Sequence, residues 1–224
     1  MTAVRVLIAA HNESERVADT VVAARSIAGV DQVLVVDDGS TDGTAERARR
    51  SGAHVMRSPR RHGKGGVIER ALGRIEPADV TMLLDADLGE TAKEAAALLD
   101  AVLGGADVAI ARLPRQPAHG GFRIVKRASA LVIRTLCGFE PQEPMSGQRA
   151  LTARALEVVR PLAPGFSMET AMTIDAVRAG LRVVEVPIPM THAATGRDLP
   201  GVLHRVRQGG AVLRAAASRL YRRR

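Results

Sequence analysis

Over its first 112 residues the chain alternates short apolar runs with amphipathic stretches, and this constrains its fold more than any other feature. Residues 4–9, 32–36, 53–56, 80–84 and 108–111 read as strands. Residues 14–27, 44–51, 67–75 and 91–103 read as helices, with Ser14 as the N-cap of the first. Strands apolar on both faces, separated by helical segments, predict an α/β domain. Its sheet is mostly parallel, with helices on both sides.

The texture changes after Arg112. Residues 113–121 form a basic loop rich in Pro and Gly, followed by a helix at 124–136 and a return toward the sheet at 145–151. A helix at 168–179 ends at Gly180, and residues 182–188 read as a strand that Pro187 and Pro189 place at an edge. In the last segment Val202, Val206, Leu213, Ala216, Ala217 and Leu220 share one helical face, while Arg207, Arg214 and Arg219 lie mainly off it. The expected organisation is one domain over residues 1–201 and a basic amphipathic helix over 202–224. That helix either packs on the domain or lies on an anionic membrane surface.

In an open α/β sheet, loops at the carboxyl ends of strands line the ligand crevice. Three such loops carry the polar residues here. Asp37-Asp38-Gly39-Ser40-Thr41-Asp42-Gly43 follows the second strand, His62-Gly63-Lys64-Gly65-Gly66 opens the third helix, and Asp85-Ala86-Asp87 ends the fourth strand. Asp85 and Asp87 on one turn can share a hard cation and leave positions for phosphate oxygens; alone they would be ordinary turn residues. Asp38 either caps its turn or accepts hydrogen bonds from a base or ribose. The glycines let backbone N–H groups approach an anion, and Lys64 adds a point charge. The stretch fits neither the P-loop nor the G-x-G-x-x-G pattern, which counts against an ATPase and a dinucleotide-dependent oxidoreductase. Together the loops point to a divalent cation holding a nucleotide diphosphate.

The formal charge of +8 favours anionic partners. Aromatic residues are only 2% of the chain and Trp is absent, so nucleic acid is not expected: stacking platforms are missing. Basic positions are nearly all arginine, which makes Lys64 stand out beside only Lys93 and Lys126. One cysteine, Cys137, fits a reducing compartment. The start leaves no room for a signal peptide, and no apolar run reaches a membrane span of roughly 18–20 residues. The expected location is the cytoplasm, with peripheral attachment to the inner membrane face as an option.

Ile8-Ala9-Ala10-His11-Asn12-Glu13, Val35-Val36-Asp37-Asp38-Gly39-Ser40-Thr41-Asp42, Gly63-Lys64-Gly65 and Asp85-Ala86-Asp87 together resemble family 2 glycosyltransferases of the GT-A fold. Ser146-Gly147-Gln148-Arg149-Ala150, Gly165-Phe166-Ser167-Met168-Glu169 and the stretch from Gly180 to Pro187 continue the likeness. It is strongest to compact polyprenyl-phosphate sugar synthases, with some likeness to glucosyl- and mannosyl-3-phosphoglycerate synthases. The resemblance implies binding of a UDP- or GDP-sugar by Ala10, Asn12, Glu13, Asp38, Lys64, Asp85, Ala86 and Asp87. It implies Mg²⁺ or Mn²⁺ held by Asp87, with Asp85 and His192 as further ligands.

Three departures from the family pattern bear on this. His11 replaces a common tyrosine, Gly89 stands where polyprenyl-phosphate enzymes often carry a metal-binding glutamine, and the missing Trp rules against the motif of processive polysaccharide synthases.

Catalysis is expected from Asp87 and Glu169. Glu169, expected at the pocket mouth, could deprotonate an acceptor hydroxyl or hold sugar hydroxyls; it could equally be a carboxylate favoured by the helix dipole. A phosphate acceptor is already ionised and needs no base; Arg149, with Arg115 and Arg123, would then grip it. The expected activity is metal-dependent glycosyl transfer to a polyprenyl phosphate, or else to a small phosphorylated molecule. A nucleotidyltransferase would need a glycine-rich, arginine-bearing loop that Ala9-Ala10-His11-Asn12 does not supply. A non-enzymatic nucleic-acid or membrane-binding module would explain the charge but not the acidic pair. A homodimer is compatible with the sequence.

Overall fold

A computed structural model describes residues 2–114 and 121–191. Seven strands form one sheet: β1 (Val4–Ala10), β2 (Gln32–Asp37), β3 (His54–Arg57), β4 (Val80–Asp85), β5 (Val108–Arg112), β6 (Arg149–Thr152) and β7 (Val183–Pro187). Their order is β3-β2-β1-β4-β6-β5-β7, parallel except for β6, which runs antiparallel to both neighbours. The expected α/β domain with a mostly parallel sheet is the one found, and β7 occupies the edge that its prolines require.

Seven α-helices occur among the described residues: α1 (Val17–Arg25), α2 (Thr44–Arg50), α3 (Lys64–Leu72), α4 (Ala96–Leu103), α5 (Gly121–Cys137), α6 (Ala153–Val159) and α7 (Met168–Arg178), with α5 packed on α7. Alternation along the central strands feeds two cores. Val6, Ile8, Met82 and Leu84 pack with Val21 of α1 and Leu98 of α4, while Leu7 and Leu83 pack on the other face with Ile68 of α3 and Met172 of α7. Covering both faces is why these strands read as unbroken apolar runs.

Three local readings are corrected. Ser14 does not cap α1: it lies in a preceding turn closed by Arg16 and Val17 N–H groups on the Glu13 carbonyl, and its own N–H donates to Asp42. Residues 91–103 are not one helix, because Gly89–Ala95 forms a 3₁₀ segment before α4. Helix α6 was not foreseen; Thr152 caps it by accepting the Ala155 N–H at 3.1 Å. The expected C-terminal helix at 202–224 lies outside the described residues. Among those described, no helix is long and apolar enough to cross a membrane.

Candidate active site

The site forms where the strand order reverses. β1 lies between β2 and β4, so the loops leaving these strands diverge and open a crevice at their carboxyl ends. Register sets Ala10 level with Asp37 and Ala9 level with Asp85. A cleft of about 180 Å³ opens there, lined among others by Ala10, His11, Asp38, Lys64, Gly165 and Glu169.

Asp37, which ends β2, and Asp38, which follows it, do different work. Asp37 is fully buried; Oδ1 accepts the Ser40 N–H at 2.9 Å and Oδ2 lies 3.3 Å from Arg57 Nε, so it holds the turn. Asp38 accepts the His62 and Gly63 N–H groups at 2.6 and 2.7 Å, one on each oxygen, tying the glycine loop to β2. A carboxylate offers about four acceptor positions, so Asp38 keeps capacity for a ligand. Asn12, in the left-handed region at φ 56°, donates its N–H to Ser40 Oγ and accepts the Thr41 N–H on Oδ1. Its side chain therefore joins two loops.

Lys64, the first residue of α3, sits between two carboxylates. Its ammonium donates to Asp85 Oδ1 and lies 3.4 Å from Glu169 Oε1. Burial opposes the charged form, but Asp85 and Glu169 outweigh it and hold the lysine pKa above its ordinary value. Glu169 opens α7 and is 5% exposed, so it stands in the cleft wall facing Lys64 rather than at the mouth.

Asp85 is fixed from its other side by Gln148, whose Nε2 donates to Asp85 Oδ2 at 2.6 Å and whose Oε1 accepts the Asp85 N–H at 2.9 Å. Gly147 makes the close approach feasible: a Cβ there would fall 2.0 Å from Lys64 Nζ and 3.0 Å from Asp85 Oδ2. The following turn is bolted to α1 by buried Thr20, whose hydroxyl donates to the Ala86 carbonyl and accepts the Gly89 N–H. Ala86 is thus a buried spacer between the Asp85 and Asp87 carboxylates.

Negative charge gathers beside this turn. The Glu13 carboxyl is pushed up to about 7, first by burial and then by repulsion from Asp87, Asp85 and Asp42. Among the described residues, no three His, Cys, Asp or Glu side chains form a metal-ligating group. Among the described residues the Asp85 and Asp87 carboxylates offer oxygen donors of the kind a hard cation takes, with diphosphate oxygens and water to complete its shell. Asp85 already accepts from Lys64 and Gln148.

Arg149 departs from its expected role. It is fully buried, with Nε donating to the Ser146 carbonyl at 2.9 Å and Nη1 to Thr173 Oγ1 at 3.0 Å. Burial lowers its pKa to about 10 against the pull of Glu169 and Glu185. In this arrangement it braces α7, while its Nη2 is buried with no hydrogen-bond partner among the described residues. Arg123 is exposed on α5 and does not line the cleft. Arg115 and His192 lie outside the described residues.

Sequence reading missed Gln148, Gly147, Thr20 and the cleft-lining Arg61 as site residues. Only the first two left a signal, as members of the Ser146–Ala150 stretch, in which Arg149 alone had been given a role.

Residues 5–158 match the sequence profile described as glycosyl transferase family 2. The chain is 32% identical to glycosyltransferase AglJ of Haloferax volcanii, over 99% of this chain and 72% of that protein. It is 30% identical to the polyprenol monophosphomannose synthase of Mycolicibacterium smegmatis, over 85% of this chain and 78% of that protein. In three dimensions it resembles glucosyl-3-phosphoglycerate synthase from Mycobacterium tuberculosis in complex with Mn²⁺, uridine-diphosphate-glucose and phosphoglyceric acid. The TM-score is 0.81 at 26% identity, over 96% of this chain and 80% of that one.

Proposed function

The chain belongs to glycosyl transferase family 2, and on that premise we propose that it transfers a sugar from a UDP- or GDP-sugar to a polyprenyl phosphate with the help of a divalent cation. The observation that carries this reading is the charge balance of the cleft. Asp38 and Glu169 line the cleft with Lys64 and Arg61, Asp85 pairs with Lys64, and burial followed by repulsion from Asp87, Asp85 and Asp42 lifts Glu13 to about 7. A diphosphate entering such a site alone would meet net repulsion.

Mg²⁺ or Mn²⁺ held at Asp87 would supply the missing positive charge to the departing diphosphate. Lys64, kept protonated by its two carboxylates, adds a fixed charge at the start of α3, where helix N–H groups favour anions. Asp38 orients the nucleoside and Glu169 the sugar hydroxyls. An acceptor phosphate is ionised near neutral pH and attacks the anomeric carbon without a base. Its oxygen forms the new bond as the bond to the diphosphate breaks. Charge stabilisation and positioning then provide most of the rate.

The likeness to a polyprenol monophosphomannose synthase supports a lipid-phosphate acceptor. A small phosphorylated acceptor is the second reading, favoured by the structural likeness to a glucosyl-3-phosphoglycerate synthase. Incubation with labelled UDP-glucose or GDP-mannose and Mn²⁺ separates them. The first reading expects label in organic-extractable polyprenyl phosphate, the second in water-soluble 3-phosphoglycerate product. Transfer to neither acceptor from either donor contradicts both.

A further inference from the structure

Helix α5 has one face built into the protein and another without a partner among the described residues. On the inner side the Ser129 and Thr170 hydroxyls lie 2.6 Å apart, and Ile133 and Leu136 cluster with Ile174 of α7. On the outer side Ile124 is 71% exposed and Leu131 54%. Seven residues apart, they share one helical stripe about 10 Å long. Arg123, Arg127 and Arg134, all exposed, follow one flank of that stripe at helical spacing. The helix contains no acidic residue, and its one lysine, Lys126, pairs with Glu143 at 2.5 Å.

This charge pattern selects among occupants. A second copy packed symmetrically on the stripe would set arginine against arginine. Residues 202–224 would do the same, since they include no Asp or Glu and seven arginines. A bilayer with anionic headgroups complements both features: apolar side chains enter the boundary between headgroups and acyl chains, and arginines meet lipid phosphates.

We propose that the outer face of α5 docks the protein on an anionic membrane surface through Ile124 and Leu131, flanked by Arg127 and Arg134. Thr170, bonded to the inner face of the same helix, adjoins Glu169. Docking therefore holds the cleft wall about one helix diameter, ~10 Å, from the lipid. The inference holds whichever acceptor is used.

The test is co-sedimentation of the full chain with phosphatidylcholine vesicles, with and without phosphatidylglycerol, in the absence of nucleotide and acceptor. Binding only to the anionic vesicles, weakening as salt rises, is expected. Ile124→Asp with Leu131→Asp, and separately Arg127→Glu with Arg134→Glu, should each lower partitioning at least about tenfold. UDP affinity in solution should stay unchanged, showing that the variants are folded. Wild type that ignores the anionic vesicles, or both variants partitioning like wild type, overturns the proposal. So does a dimer in sedimentation equilibrium that Ile124→Asp with Leu131→Asp dissociates, since the face would then join two copies.

Discussion

Gln148 and Asp85 are joined twice: the glutamine amide donates to Asp85 Oδ2 at 2.6 Å, and its oxygen accepts the Asp85 backbone N–H at 2.9 Å. This fixes the carboxylate that anchors Lys64, without a second charge. Gln148→Leu leaves a part-buried carboxylate oxygen and N–H without that partner and should destabilise the fold by about 1–3 kcal/mol in urea titration. Turnover should fall more than donor KM rises. An unchanged turnover would show that Asp85 needs no such anchor.

Lys64 separates Asp85 from Glu169, so its loss acts on stability and function together. Lys64→Met should reduce stability by about 2–3 kcal/mol, because two carboxylates lose their cation. Adding Glu169→Gln should restore part of that stability but none of the diphosphate affinity. A double-mutant cycle with calorimetric UDP titration separates the two effects.

Gly147→Ala tests the same lysine with little change in charge or volume. The new methyl carbon would overlap the Lys64 ammonium, which stands at the end of a flexible side chain and can move aside. Stability should fall by about 1–2 kcal/mol as the ammonium gives up part of its contact with Asp85, while the nucleotide Kd should rise about tenfold. Equal affinity in the variant would mean that Lys64 does not touch the diphosphate.

Glu13 gives the apo protein a pH signature. Its folded pKa of about 7 lies above the ordinary 4.5, so the folded state binds more protons than the unfolded state between those values. The Glu13 contribution is therefore most favourable below about 4.5, declines as pH rises, and levels off above about 7. In EDTA, thermal scans should show Glu13→Gln gaining stability relative to wild type as pH rises across that window. A difference that is flat with pH would contradict the charge cluster.

The fold was legible because central strands buried on both faces leave unbroken apolar runs, as at Met82-Leu83-Leu84, and the site loops follow at their ends. Asp38 and Lys64 could be placed at the cleft for that reason. What pairs across the fold was not legible. Gln148 meets Asp85 across 63 residues, through the antiparallel register of β6 on β4, and no local pattern reports that. Arg149 read as an acceptor-phosphate ligand because composition gives no sign that Ser146 and Thr173 would enclose it. Glu169 read as a mouth residue because the approach of α7 to Lys64 is a tertiary contact.

The central claim is that a divalent cation at Asp87 and Lys64 together hold a nucleotide diphosphate. Calorimetric titration of UDP and GDP tests it most directly, with Mn²⁺ or Mg²⁺ and with EDTA, on wild type and Asp87→Ala. The account predicts that one nucleotide binds wild type in the presence of metal, and that EDTA or Asp87→Ala abolishes binding. Equal affinity with and without metal, or full retention in Asp87→Ala, would contradict it.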